Sequence, residues 1–214
     1  MNTVEITKEE LYNYLFNLET IGSGSFGIVK KIDDDTCAKI YYKDIYKFYK
    51  SADFTDLDQY IDILLSVKKP NTINEQEMYE NNNKKLELLM QMGLIQKILN
   101  YRGYKLGVIM KYYKGFLDLY DASLILNKAL IEIILKKIRK QLDIFISNNI
   151  FISDLSSSNI LVNPDTLDIA FIDLDDIFTR YETDEYLMEK PLVKKRLLSD
   201  CNSRFKVISD SLLS

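Results

Sequence analysis

Histidine is absent from this 214-residue chain. That absence excludes Ser-His-Asp and Cys-His relays, imidazole metal sites and a histidine general base, and leaves acid–base chemistry to carboxylates, Lys, Tyr or Cys. Cysteine is scarce: Cys37 and Cys201 stand far apart, with neither a disulfide framework nor zinc-ligand spacing, so a reducing compartment is expected. Long apolar runs are missing as well. The most apolar stretch, residues 129–138, is interrupted by Glu132, Lys136 and Lys137, too short and too charged to span a bilayer. The opening MNTVEITKEELYNYLF carries acids and no continuous apolar region, which is unlike a secretory signal. There is no excess of positive charge either, because 28 Lys and Arg face 32 Asp and Glu for a net charge of −4, so no global field draws the chain to nucleic acid. These absences give the expectation of a cytoplasmic protein with no membrane span and no nucleic-acid partner. A composition of 47% hydrophobic and 28% charged residues is that of a globular chain able to bury a real core.

Periodicity divides the chain. Thr7 with Glu10 forms a capping-box signal, followed at helical spacing by Leu11, Tyr14, Leu15 and Leu18, which predicts a short opening helix. The period then changes. LETIGSGSFGIVKKIDDDTCAKIYY reads as three strands with turns at the glycines and at Asp33 to Asp35, and IQKILNYRGYKLGVIMKYY reads as a further hairpin turning at Asn100 to Gly103. Together they predict a five-stranded antiparallel sheet. Between the two groups, Asp56 to Val67 and Glu75 to Met92 carry helical patterns. The aromatic stripe Tyr41, Tyr42, Tyr46, Phe48, Tyr49 and Phe54 is expected to fill core between this insertion and the sheet, in preference to forming a partner surface. Beyond Gly115 the chain turns mostly helical: LNKALIEIILKKIRKQLDIFISNN predicts one long half-buried helix, two short strands follow around a Pro164-Asp165 turn, and a charged helical segment closes the sequence.

Four features carry potential chemistry. Gly22-Ser23-Gly24-Ser25-Phe26-Gly27-Ile28-Val29 is a Gly-x-Gly-x-x-Gly-x-Val string, whose missing side chains let backbone N–H groups approach phosphate, although a plain hairpin turn uses glycines equally well. It leads into a β-prone pair and not a helix, unlike a dinucleotide site. Lys39 lies between Ala38 and Ile40 in a strand; a surface-pointing lysine is the ordinary reading, whereas burial would demand a partner. Asp154 and Asn159 frame a polar loop between apolar runs, which also suits an Asx- and Ser-capped turn. Asp173, Asp175 and Asp176 end an apolar strand, where acids either mark the exit to solvent or ligate a divalent metal.

In this order and spacing, the four resemble the protein-kinase superfamily: Gly-rich loop, strand lysine, Asp-x-x-x-x-Asn loop and metal-binding Asp. The resemblance covers residues 18–177. It implies an α+β, minimal two-lobed fold within a single domain 1–214, with an N-lobe over 18–113 bearing a five-stranded antiparallel sheet, a packed helix and a helical insertion at 42–70, and a reduced helical C-lobe over 114–214. Carried over by position, it implies that Gly22, Gly24 and Gly27 cover ATP phosphates, Lys39 holds them, and one helix glutamate pairs with Lys39, with Glu80 first choice ahead of Glu77 and Glu87. Val29, Cys37 and Leu161 would sandwich the adenine, with Met110 beside them and the backbone of Lys111 to Tyr113 at its edge. Asp154 would take the acceptor proton, and Asn159 and Asp173 would hold Mg²⁺.

The departures point to an atypical member, similar to RIO-type, lipopolysaccharide-core and small bacterial kinase-like proteins. Ile152-Ser153 stands where His-Arg is usual, Ser156 where a lysine is usual, and Leu174-Asp175 where Phe-Gly is usual. The stretch after Asp173 is short for a full activation segment and a peptide-docking platform. Similar truncation occurs in minimal effector kinases that bind ubiquitin-conjugating enzymes, so a protein partner, and delivery into a host cell as an alternative location, are also implied. The expected function is an ATP- and Mg²⁺-dependent Ser/Thr protein kinase. The alternatives are a small-molecule or glycan kinase, and a pseudokinase that serves as a nucleotide- or partner-binding module.

Overall fold

The computed structural model describes residues 2–23, 27–41, 84–101, 104–174, 177–178 and 192–213. Gly24, Glu77, Glu80, the insertion 42–70, the aromatic stripe beyond Tyr41 and most of the helix expected at Glu75 to Met92 lie outside these residues. The fold class is α+β, and the chain divides into two compact units, residues 1–114 and 115–214.

The first unit is built on a sheet of strands β1 (Thr3–Glu5), β2 (Thr20–Ser23), β3 (Gly27–Lys31), β4 (Thr36–Tyr41), β5 (Lys97–Tyr101) and β6 (Tyr104–Lys111), in the order β1-β5-β6-β4-β3-β2. The expected five-stranded antiparallel sheet is therefore corrected to six strands and mixed: β1 joins β5 in parallel, with Thr3 opposite Ile98 and Glu5 opposite Asn100. Three residues are too few to show a period, and the strand exists because β5 offers an edge. Ile98 N–H donates to Asn2 O (3.0 Å) and Ile6 N–H to Asn100 O (2.8 Å). Helix α1 (Lys8–Tyr12) begins at the predicted capping box, with Glu10 N–H on Thr7 Oγ1 and Thr7 N–H on the Glu10 carboxylate. Leu11 from α1 enters a core with Ile6, Ile28, Ala38, Ile40, Leu99, Tyr101 and Leu106, which covers one face of the sheet. Residues 84–91 are helical and bury Leu88 and Leu89.

In the second unit, α2 (Leu119–Ile125) precedes α3 (Lys128–Ser147), which Asn127 caps by accepting Leu130 N–H. Helix α3 buries Ile131, Ile134, Leu135, Ile138, Leu142 and Phe145, the single stripe that its three- and four-residue spacing predicts. Phe145 meets Phe171 edge to face at 5.4 Å. Strands β7 (Leu117–Asp118), β9 (Ile160–Val162) and β10 (Ile169–Phe171) form one small antiparallel sheet, and β8 (Phe151–Ile152) pairs with β11 (Ile177–Phe178) in another. Helix α4 (Leu192–Leu213) packs on α3 and β8, burying Cys201 and Ile208. Arg139 of α3 reaches Asn202 at 2.6 Å and lies over the Phe205 ring.

Candidate functional site

The register of the first sheet sorts the predicted residues onto one face. Val29 stands opposite Lys39, Lys39 opposite Val108, and Cys37 opposite Met110, while Gly22 stands opposite Val29 and Gly27 opposite Tyr41. Side chains alternate along each strand. Gly22, Gly27, Val29, Cys37, Lys39 and Met110 therefore share the face turned away from the core that holds Ile28, Ala38 and Ile40. Lys39 is only 7% exposed, so the surface-pointing reading of this lysine is wrong.

Sheet packing alone accounts for part of this set. A Cβ on Gly27 would strike the carbonyl oxygen of Ile40, so the third glycine is required by strand approach whether or not a phosphate binds there. Gly22 differs: its Cβ would meet Val29 at an ordinary 3.7 Å. Cys37 is buried, its thiol pushed up to about 11 by desolvation, and its Sγ donates to Lys111 O at 3.6 Å. It is thus a wall and not a nucleophile. Tyr113 has its phenol raised by burial and by Cys37, and the exposed Lys111 lies over its ring at 5.3 Å.

The turn before β4 fixes this strand exit. Asp33 Oδ1 accepts the N–H groups of Asp35 and Thr36, Asp35 O accepts Tyr112 N–H at 2.8 Å, and Asp34 binds Lys114 at 2.7 Å and Lys31 at 3.0 Å. Lys114 and Lys31 hold the Asp34 carboxyl down to about 2. Lys30, which the sequence did not single out, is as buried as Lys39 but on the core face. It donates to Leu18 O (3.1 Å) and Thr20 Oγ1 (2.8 Å), and burial lowers its pKa. Glu87 acts electrostatically on Lys105.

In the second unit the polar loop is pinned from both sides. Ile150, Phe151 and Ile152 before Asp154, and Leu155 after it, are buried, so the exposed Asp154 carboxylate is carried on an anchored turn. Ser157–Asn159 form one turn of 3₁₀ helix that presents Asn159 back to Asp154. Asn159 Nδ2 donates to Asp154 O at 2.9 Å and to Asp154 Oδ2 at 3.3 Å. The Asn159 backbone carbonyl accepts Ile172 N–H at 2.9 Å, extending the β9–β10 ladder to the residue before Asp173. Asp173 has φ +56°, a left-handed conformation that costs a non-glycine residue energy. The structure thus brings Asp154, Asn159 and the segment of Asp173 together. Leu161 is half-buried between the fully buried Ile160 and Val162, on the opposite face of β9.

One further residue belongs to this loop. Arg204 of α4 places Nη1 3.9 Å from Asp154 Oδ1. No local pattern ties a residue near the end of the sequence to the loop; only the packing of α4 on β8 does.

Two oxygen donors, from Asn159 and Asp173, fit a hard divalent cation such as Mg²⁺. Because the amide nitrogen of Asn159 is committed to Asp154, its Oδ1 is the atom left for a metal. Among the described residues there is no cluster of three or more Cys, Asp or Glu that could hold a metal. None of the described helices is long and apolar enough to cross a membrane. No family model matches the chain, and no curated protein matches it.

Proposed function

We propose that the chain is an ATP- and Mg²⁺-dependent phosphotransferase of the protein-kinase type, with a Ser or Thr hydroxyl of a protein as acceptor. The observation that carries this reading is the Asp154–Asn159–Asp173 arrangement. An exposed carboxylate on an anchored turn is hydrogen-bonded by an amide whose backbone is tied to the residue preceding a strained second carboxylate. A capped loop needs no second acid beside it, whereas a base working next to a bound Mg²⁺ does. The face bearing Gly22, Val29, Cys37, buried Lys39 and Met110 supports the reading from the first unit, as a surface with apolar positions around a buried cation, suited to a nucleotide.

In this assignment Asp154 accepts the proton of the attacking hydroxyl and Lys39 binds phosphate oxygens. Asn159 and Asp173 would hold Mg²⁺, which neutralises phosphate charge when bound. Phosphoryl transfer asks for positioning and charge more than for covalent chemistry, so a chain without histidine is equipped for it. The test is incubation of purified protein with γ-labelled ATP and Mg²⁺, wild type beside Asp173→Asn, with calorimetry of ATP binding in parallel. Label transfer by wild type and its loss in the variant are expected. If wild type binds no ATP at millimolar concentration, the proposal fails. ATP binding without transfer selects the pseudokinase alternative.

A further inference from the structure

We infer that Arg204 is the cation that stabilises the transferred phosphoryl group, supplied to the loop by helix α4. The inference rests on the kinase reading above and adds a residue to it.

The loop Ile152 to Val162 contains no lysine and no arginine, so its own chemistry at the reacting centre is a carboxylate, an amide and hydroxyls. Transfer of a phosphoryl group spreads negative charge over three equatorial oxygens, and a site that offers only Asp154 at the acceptor end would repel it. Arg204 answers that deficit in space. Its Nη1 lies 3.9 Å from Asp154 Oδ1, longer than a committed hydrogen bond, and both side chains keep about half their surface in solvent (49% and 57%). The guanidinium is therefore close enough to share the reacting centre and still has N–H groups to give. Its planar fork matches phosphoryl oxygens better than a point charge does.

The surroundings agree with a binding role. Arg204 lines a half-open cleft of about 490 Å³, walled by Phe151, Ile152 and Ser153 from the loop stem and by Leu197, Asp200 and Ser203 from α4. Leu197, Asp200 and Arg204 fall on one helical face. Buried Cys201 and Ile208 lie beside them on that face and anchor the helix. Arg204 thus stands on a fixed helix at the rim of a space beside the proposed base, where an acceptor hydroxyl would arrive.

The step is an in-line displacement. The acceptor oxygen forms a bond to the γ-phosphorus, and the bond from that phosphorus to the bridging β-phosphate oxygen breaks. ADP leaves with the electron pair, and the hydroxyl proton passes to Asp154. Arg204 contacts the equatorial oxygens while their charge is greatest, so its removal lowers the rate and leaves nucleotide binding alone.

The experiment measures transfer of labelled γ-phosphate from saturating Mg²⁺-ATP to the protein itself and to water. It compares wild type, Arg204→Met, Arg204→Lys and Arg204→Ala, with melting temperature and ATP affinity recorded for each. Arg204→Met is expected to lose on the order of 10²-fold or more in rate with unchanged ATP affinity. Arg204→Lys should recover part of that loss, and added guanidinium at non-denaturing concentration should accelerate Arg204→Ala alone. Arg196→Met is the control, because Arg196 pairs with Asp200 (3.8 Å) on the same helix; it should transfer at the wild-type rate. Equal rates for wild type and Arg204→Met overturn the inference and leave the kinase reading standing. A slow Arg204→Met that has also lost stability or ATP affinity, with no guanidinium rescue of Arg204→Ala, overturns it in favour of a structural pair. A wild-type protein that transfers no phosphate overturns both.

Discussion

The two units hold their candidate residues in opposite ways. In the first, Gly22, Gly27, Val29, Cys37, Lys39 and Met110 sit in regular strands, and simple packing explains much of what they are: Gly27 is needed by the Ile40 carbonyl and Cys37 fills an apolar position. In the second, Asp154, Asn159 and Asp173 sit on irregular backbone, one on a pinned loop, one in a single 3₁₀ turn and one at positive φ. Ordinary turns in the same unit also hold Asn149 and Leu167 at positive φ, so the weight falls on the amide clamp of Asn159 onto the exposed Asp154. Regular strand packing does not account for an exposed carboxylate on a pinned turn, and the loop of the second unit is the better candidate for chemistry than the longer glycine motif.

The sharpest way to break that contrast is Asp154→Asn. Asparagine caps and turns as well as aspartate, so the loop should survive with its melting temperature nearly unchanged. It cannot take a proton, and turnover should fall by on the order of 10²-fold or more. Paired measurement of melting temperature and phosphotransfer rate decides it. A variant that turns over like wild type removes Asp154 from the mechanism and leaves the loop as unexplained as it was.

Next in size is a glycine pair in the first unit. Gly27→Ala forces a Cβ against the Ile40 carbonyl oxygen, a backbone atom that cannot swing aside, and should destabilise by about 2 kcal/mol or more. Gly22→Ala meets Val29 at an ordinary distance and should leave stability within about 0.5 kcal/mol of wild type. If the string serves phosphate as well as the sheet, Gly22→Ala weakens ATP binding with no stability change. If it moves neither quantity, the first glycine is only a turn residue.

How far the sequence could be read follows the same division. The hairpins and α3 were legible because alternation, turn residues and a heptad-like stripe are local signals, and the capping box at Thr7 and Glu10 marked α1 correctly. Strand β1 was not legible, since its three residues become a strand only through the edge that β5 offers. The order of Asp154, Asn159 and Asp173 was visible, and the amide clamp of Asn159 onto Asp154 follows from a spacing that one 3₁₀ turn closes. The positive φ of Asp173 was not visible, because aspartate carries no mark of it as glycine would. Nor was Arg204, whose approach depends on how α4 packs on β8. Nor does the strand pattern decide between an exposed and a buried Lys39, because a single strand does not reveal whether its second face is covered.

A smaller effect, of opposite sign, tests the strain at Asp173. Glycine adopts φ near +56° without penalty, so Asp173→Gly should relieve about 1 kcal/mol of backbone strain, less what the lost Asp173 side-chain interactions contributed and the chain entropy the unfolded glycine regains. The same change should abolish Mg²⁺-dependent ATP binding if that carboxylate is a ligand. A thermal melt with and without Mg²⁺-ATP reads both quantities. Stabilisation with undiminished ligand response makes the residue a mere turn and weakens the contrast between the units.

The smallest expected effect belongs to the charge fan at the turn before β4. Lys114 and Lys31 hold the Asp34 carboxyl at about 2, below its ordinary 3.8. A carboxyl depressed in the folded state binds fewer protons there than in the unfolded chain, so its contribution is complete above pH 4 and is lost as pH falls toward 2. Asp34→Asn should therefore flatten the acid side of the stability profile between those values and change nothing near neutrality beyond the loss of an exposed pair. Because Asp34 and Lys114 are exposed and Lys31 is partly so, the difference between wild type and variant should shrink in 1 M salt. Tyr112 N–H on Asp35 O supplies an anchor that does not titrate, so the strand exit at residues 111–113 should hold its place at low pH. If Asp34→Asn instead lowers ATP affinity at neutral pH, the charge fan and not the backbone hydrogen bond positions that exit, and the first unit depends on electrostatics as much as the second.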